Sequence, residues 1–247
     1  MKVDDVKKLQ QKKYREEFAC FLAEGEHLVL ELEKAASKNP ALQASELYVT
    51  DAYAEWDTRF HKHLVSERVM QQLSETRSPQ GIIARIPTVA LQRPSEQTLT
   101  PAGISRRAVY LYEVQDPGNL GTILRTLAWF GGFSCLLSPG CVDPFNGKVV
   151  RSSMGAIFYV PLMVDVDIST IRQQFRYPVC MDMTGESLRS ADFQKTDCLI
   201  FGNEARGAPA DVLQQTGATA YTITGTGQID SLNLAATVNM CIYELSR

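Results

Sequence analysis

The chain has no apolar run long enough to cross a bilayer, which argues against a helical membrane span. Its first residues, MKVDDVKKLQQKKYREEF, are charged and hold no apolar signal-peptide core. These two absences predict a soluble, cytoplasmic chain. Cysteine is sparse and unclustered: Cys20, Cys135, Cys141, Cys180, Cys198 and Cys241, none in a C-x-x-C spacing. Three lie in apolar runs such as DCLIFG, where free thiols pack as small hydrophobes. Reduced thiols fit a cytoplasm. A zinc site needs clustered Cys and His ligands, and the chain has no such cluster, so no metal is expected. An excess of positive charge is also missing. The net charge is −3, which argues against a broad electrostatic grip on nucleic acid and leaves any such contact to local patches. There is no Walker phosphate loop and no strand-turn-helix G-x-G-x-x-G.

What is present falls into two halves. Residues 1 to about 90 carry most of the long charged stretches. There, Lys7 to Lys34 reads as helix, loop and helix, with Phe18, Phe21 and Leu22 clustered before Gly25 and His27, Leu28, Leu30, Leu32 and Ala35 after it. Asn39-Pro40 ends that pattern. SELYVTD and GIIARIP read as short strands, AYAEWDTRFHKHL as a helix, and VSERVMQQLSE as a helix capped by Ser66. QRPSEQTLTPAGIS has the proline, glycine and polar content of a linker. The expected organisation is therefore a domain over 1–92, a linker over 93–105 and a second domain over 106–247.

The second half alternates strand and helix. AVYLYEV, FSCLLSP, YPVCMDM, DCLIFG and AYTIT read as strands. NLGTILRTLAWFG, STIRQQFR, the stretch through Val212 and Leu213, and SLNLAATVNMCIYELSR read as helices, and KVVRSSMGAIFYV as a helix leading to a strand. This alternation predicts an α/β fold with a mostly parallel sheet covered on both faces.

Ligands of such sheets bind at the carboxyl ends of strands. Three strand-to-helix junctions carry unusual chemistry. In QDPGNLGTILRT, Asn119 is placed to cap the helix, and Thr122, Arg125 and Trp129 share a face. In IFGNEARGAP, glycines flank Asn203, Glu204 and Arg206, and Gly202 lets a planar group approach the main chain. In ITGTGQIDSLN, Ser231 and Asn233 head the final helix, with Asp230 or Ser231 as its cap. Each alone reads as a capped helix or a glycine turn. Together they place polar side chains at three helix starts of one sheet, which reads as one site.

These loops resemble the three signature motifs of the TrmH (SpoU) family of SPOUT RNA ribose methyltransferases. The pattern D-P-x-N-x-G-x-x-x-R is matched by Asp116, Pro117, Asn119, Gly121 and Arg125. G-N-E-x-x-G is matched by Gly202, Asn203, Glu204 and Gly207. Ile223, Gly227, Ser231, Leu232 and Asn233 match the third motif, although the family's Pro-Met is Thr224-Gly225 here. An R-x-S-x-G-A segment falls at Arg151, Ser153, Gly155 and Ala156. KKYREEFACFLAEGEHLVLE and SPQGIIAR look like the small domain that many of these enzymes carry.

The resemblance implies a small α/β domain of ribosomal L30e-like fold that helps hold RNA, then a SPOUT domain with a deep trefoil knot that works as a homodimer. It implies transfer of a methyl group from S-adenosylmethionine to a ribose 2′-hydroxyl, most readily in 23S rRNA. A tRNA target and a non-catalytic RNA-binding relative are the alternatives. The implied catalytic residues are Asn119, Arg125, Glu204, Ser231 and Asn233. Main-chain atoms of Gly202, Ile223 and Leu232 would hold the cofactor. Arg151 is an implied RNA-phosphate contact acting across the dimer. Apart from the resemblance, Lys7, Lys8, Lys12, Lys13 and Arg15 form one basic run and Arg59, His61, Lys62, His63 and Arg68 a second, each a solvated face or an RNA footprint.

Overall fold

A computed structural model describes residues 1–91 and 107–247. The expected linker, 93–105, lies outside the described residues. The elements run α1 (Val3–Lys8), α2 (Lys12–Phe18), β1 (Cys20–Glu24), α3 (Glu26–Ala36), β2 (Glu46–Val49), β3 (His61–Leu64), α4 (Glu67–Leu73) and β4 (Ile82–Pro87). They continue with β5 (Arg107–Leu111), α5 (Pro117–Phe130), β6 (Phe133–Leu137), α6 (Gly147–Ser153), β7 (Leu162–Met163) and α7 (Ile171–Gln174). The last are β8 (Pro178–Ser187), β9 (Cys198–Phe201), α8 (Val212–Thr216), β10 (Thr219–Thr222) and α9 (Leu234–Leu245). The chain divides into two compact units, one of Met1–Leu91 with Asp143–Tyr159, the other of Gln92–Val142 with Val160–Arg247.

The first unit is a four-stranded mixed sheet ordered β1-β4-β2-β3. The helix-loop-helix reading of Lys7 to Lys34 is corrected here, because Cys20–Glu24 is a strand paired antiparallel to β4. Ala19 turns the chain between α2 and β1 with φ +48°. Phe18, Phe21 and Leu22 mimic a helical spacing, but Phe21 and Ala23 are buried as inward strand positions. AYAEWDTRFHKHL is likewise not a helix: it holds one 3₁₀ turn and the edge strand β3, paired in parallel with β2. Ser66 does cap α4, accepting the Val69 N–H at 3.4 Å.

The segment Asp143–Tyr159 belongs to this unit through defined contacts. Arg15 is 5% exposed and pairs with Asp143 at 2.7 Å. Its guanidinium also donates to the Leu9 and Gln10 carbonyls at 2.8 and 2.9 Å. The Phe21 and Phe145 rings lie 4.8 Å apart, and Tyr159 donates to Glu31 at 2.9 Å. KVVRSSMGAIFYV forms α6 and a 3₁₀ turn over Ala156–Phe158 rather than ending in a strand.

The second unit is a six-stranded sheet ordered β10-β8-β9-β5-β6-β7, with every pair parallel. Its interior strands β6 and β9 are buried at every residue, as expected when helices cover both faces. α5 begins with Asp116 as cap and Pro117 in its first turn, and it ends at Gly131 with φ +67°. Its residues Leu120, Ile123, Leu124 and Leu127 form the buried stripe. α9 packs against α5 and buries Ala235, Val238, Cys241, Ile242 and Leu245. Arg107, at the start of β5, donates to the carbonyls of Gln194, Thr196 and Leu245, tying the first strand to the end of the last helix. All six cysteines are free thiols, and five are buried. Burial pushes the thiols of Cys180 and Cys241 up to about 12.

Candidate active site

The carboxyl ends of β5 and β9 are neighbours in the sheet, with Leu111 paired to Phe201. Each opens into one of the unusual loops. The loop after β9 is built around Asn203, which is 8% exposed. Its main chain exchanges both hydrogen bonds with Gly207, at 2.9 and 2.8 Å. Its side-chain oxygen accepts the N–H groups of Ala205 and Arg206, and its Nδ2 donates to the Glu113 carbonyl at 2.7 Å. Gly202 is required by this turn itself, since a Cβ there would overlap the Gly207–Ala208 backbone. Its small size therefore serves the loop's own packing.

Glu204 projects from this turn to the loop after β5. Its carboxylate accepts the main-chain N–H groups of Gln115 and Asp116, both at 3.2 Å, and Asn119 Nδ2 at 3.3 Å. Asn119 Oδ1 then accepts Asn233 Nδ2 at 2.9 Å. The third loop, which leaves the edge strand β10, is thereby joined to the other two. Two caps differ from the sequence reading. Asp116, not Asn119, caps α5 by accepting the Asn119 N–H at 2.7 Å. Asn233, not Asp230 or Ser231, caps α9 by accepting the Ala236 N–H at 3.2 Å. Both asparagine side chains are thereby held by defined partners.

Arg125 lies on the exposed face of α5 with Thr122 and Trp129, and the ring of Trp129 is 84% exposed. Ser231 and Leu232 are exposed and Ile223 half-buried. A Cβ built at Gly207, Gly225 or Gly227 meets nothing within 4 Å, so main chain is open to a ligand along two loops. Acidic groups dominate: Glu113, Asp116, Glu204, Asp211 and Asp230 lie in the loops. This surface fits a cationic cofactor with polar edges that bind main chain. Among the described residues, no group of three or more His, Cys, Asp or Glu is placed to hold a metal.

Residues 106–243 match the SpoU rRNA Methylase family, and residues 1–84 match the MRM3-like substrate binding domain. The chain belongs to the SpoU rRNA methylase family. Over its whole length this SpoU methylase is similar to a 23S rRNA (guanosine(2553)-2'-O)-methyltransferase, RlmP, of Bacillus subtilis. The two are 32% identical over 253 residues, 99% of this chain and 95% of the relative. A tRNA/rRNA methyltransferase of Synechocystis that is described as uncharacterized is 31% identical, covering 99% of this chain and 90% of that one. The solved structure of an AdoMet-bound rRNA methyltransferase from Sinorhizobium meliloti superposes with a TM-score of 0.82. It is 27% identical, covering 98% of this chain and 93% of that one.

The basic residues expected to meet RNA in this SpoU methylase divide on inspection. Arg15 is corrected: buried against Asp143 and two carbonyls, it holds the first unit together and offers nothing to a phosphate. Lys12 is exposed beside Glu16 at 3.6 Å, and Lys13 is exposed with its ammonium 5.6 Å from the Tyr14 ring centre. Arg151 is partly exposed and pairs with Glu75 at 3.3 Å. In the second basic run, Lys62 donates to the carbonyls of Ala54 and Trp56 and His63 pairs with Glu46, so both are committed inside the fold.

Sequence reasoning missed Glu113 and the capping role of Asp116. The Asp-Pro pair at a helix start is a readable cap signal for Asp116. Glu113 has φ +48°, an uncommon backbone for a residue other than glycine, and no sequence cue marks it. The Ser138 hydroxyl accepts its N–H at 2.8 Å and helps to hold it there.

Proposed function

We propose that the chain transfers a methyl group to a ribose 2′-hydroxyl of ribosomal RNA, most specifically 23S rRNA. S-adenosylmethionine is the methyl donor; when bound, it supplies an electrophilic methyl on a sulfonium. The observation that carries the reading is the hydrogen-bonded series Glu204–Asn119–Asn233, which joins the three motif loops at the start of α5, the helix that also carries the exposed Arg125. The main chain at Gly202, Ile223 and Leu232 holds the cofactor, and Ser231 lies beside it.

A ribose hydroxyl is a weak nucleophile while it keeps its proton. Arg125 is permanently charged and so a poor base. Its role is electrostatic: the guanidinium stabilises the oxygen as its proton leaves for solvent, and it fixes the nucleotide for attack. Glu204, Asn119 and Asn233 order the loops around it.

The expected organisation also includes a first unit of L30e-like fold that grips RNA through Lys12, Lys13 and Arg151. The second unit carries the trefoil knot. The span from β10 at the sheet edge to Asn233 beside α5 supports such threading. Exposed Trp129 on α5 and Met240 and Tyr243 on α9 offer an apolar face for a homodimer. Among the described residues no helix is long and apolar enough to cross a membrane, which fits a cytoplasmic site of action.

The test is transfer of labelled methyl from S-adenosylmethionine to 23S rRNA and to bulk tRNA, both from cells lacking the protein. Label in 23S rRNA that survives as an alkali-resistant dinucleotide supports the reading. Label only in tRNA redirects it, and no label together with no cofactor binding overturns it.

A further inference from the structure

The three motif loops, 112–119, 202–211 and 223–233, contain five acidic side chains and a single cation, Arg206. That balance suits a sulfonium. It opposes a polyanion, because RNA must bring the phosphates flanking the reacting ribose up to Glu113, Asp116 and Glu204. Arg206 stands at this point of conflict. Its side chain is 71% exposed, and its guanidinium is paired with Glu113. The pairing is built in from both sides. Asn203, whose amide fixes the main chain of Glu113, also accepts the Arg206 N–H through its Oδ1 at 3.1 Å. Glu113 is held in its left-handed conformation by Ser138 and Asn203. Strained, over-determined backbone of this kind persists where the surrounding structure holds it, and it clusters at functional sites.

We propose that Arg206 is an RNA-positioning residue: it exchanges Glu113 for a phosphate next to the methylated ribose. This rests on the ribose-methylation reading. A guanidinium on an exposed ion pair loses little by exchanging one oxyanion for another, since exposed pairs contribute little to stability. It gains a two-pronged hold on phosphate that a lysine lacks. With Glu113 as its resting partner, the Arg206 guanidinium is held at the first motif loop although most of its side chain is exposed. Arg125 is then left to the reacting oxygen, and the two arginines divide the work between hydroxyl and phosphate.

The experiment measures binding of 23S rRNA, from cells lacking the protein, to Arg206→Ala, Arg206→Lys, Glu113→Gln and the unaltered chain over a series of salt concentrations, together with methyl-transfer kinetics. Loss of one phosphate contact should flatten the dependence of log affinity on log salt by roughly 0.7 to 0.9 in Arg206→Ala. The KM for RNA should rise about tenfold, with kcat within about twofold and S-adenosylmethionine affinity unchanged. Arg206→Lys should restore the salt slope but only part of the KM. Glu113→Gln, which frees the guanidinium, should tighten RNA binding. An unchanged salt slope and RNA KM in Arg206→Ala overturns the proposal. So does a loss confined to S-adenosylmethionine affinity, which makes Arg206 a cofactor-loop residue. A slope that depends on Arg206 in a chain that transfers no methyl upholds the grip on RNA and overturns the ribose-methylation reading instead.

Discussion

Several charged side chains of the two units are used in opposite ways. In the first, Arg15 is sealed against Asp143 and two carbonyls, Lys62 is bound to Ala54 and Trp56, and Glu46 collects Arg85 and His63. In the second, Glu204 and the asparagines bond mainly to one another's loops, while Arg125 and Arg206 remain at the surface. A buried ion pair becomes costly when one partner is lost. An exposed group can be removed with little effect on the fold, so it is free to act on something else. Position in the sequence does not reveal this difference, because Arg15 sits in a lysine-rich run that looks more like an RNA footprint than Arg206 does.

The largest effect is expected from Arg15→Ala. It leaves Asp143 unpaired in a mostly buried place and should cost about 3–5 kcal/mol in a denaturant titration. A loss below about 1 kcal/mol, the range of surface pairs, would erase the contrast between the units. Arg125→Ala comes next, with the fold intact. Methyl transfer should fall by about a hundredfold or more, as when a donor to a developing oxyanion is removed, with an unchanged melting temperature. A drop in melting temperature of the same variant would move Arg125 into the structural class.

Glu204→Ala removes the acceptor of two main-chain N–H groups and of Asn119. Solvent can reach these donors, so the stability cost should stay near 1 kcal/mol. The three loops should nevertheless loosen, and S-adenosylmethionine affinity by calorimetry should fall roughly tenfold, equivalent to about 1.4 kcal/mol. Unaltered affinity would mean that the loops hold their shape without this carboxylate. The smallest effect belongs to the double variant Lys12→Ala, Lys13→Ala. It should leave stability within about 0.5 kcal/mol, as surface changes do. Affinity for rRNA should weaken only a few-fold, with a salt slope flatter by about 1.4 to 1.8 for two phosphates.

Much of the second unit was legible because its strands are nearly continuous apolar runs and its helices carry clear stops, as Gly131 shows for α5. The first unit was less so. β1 was hidden because Phe18, Phe21 and Leu22 fall at helical spacing and the turn before the strand uses Ala19, not glycine. β3 was hidden because HKHL is an edge strand, where charge and partial exposure replace the alternating apolar pattern. At the site, motif spacing brought Asn119, Glu204 and Asn233 to notice, and they do meet. The caps were misplaced because Asp116 and Asn119, like Ser231 and Asn233, offer two suitable residues within one turn. The pairing of Arg206 with Glu113 links residues 93 positions apart and leaves no local trace.

The bond from Asn233 to Asn119 spans 114 positions. During synthesis the strand-helix unit that bears Asn119 leaves the ribosome first, and Asn233 emerges more than a hundred residues after it. Until Asn233 has been made the third loop cannot join the other two, however well the earlier elements have folded. The Glu204–Asn119–Asn233 series cannot close before Asn233 is made, and a chain truncated before it lacks the bond to Asn119.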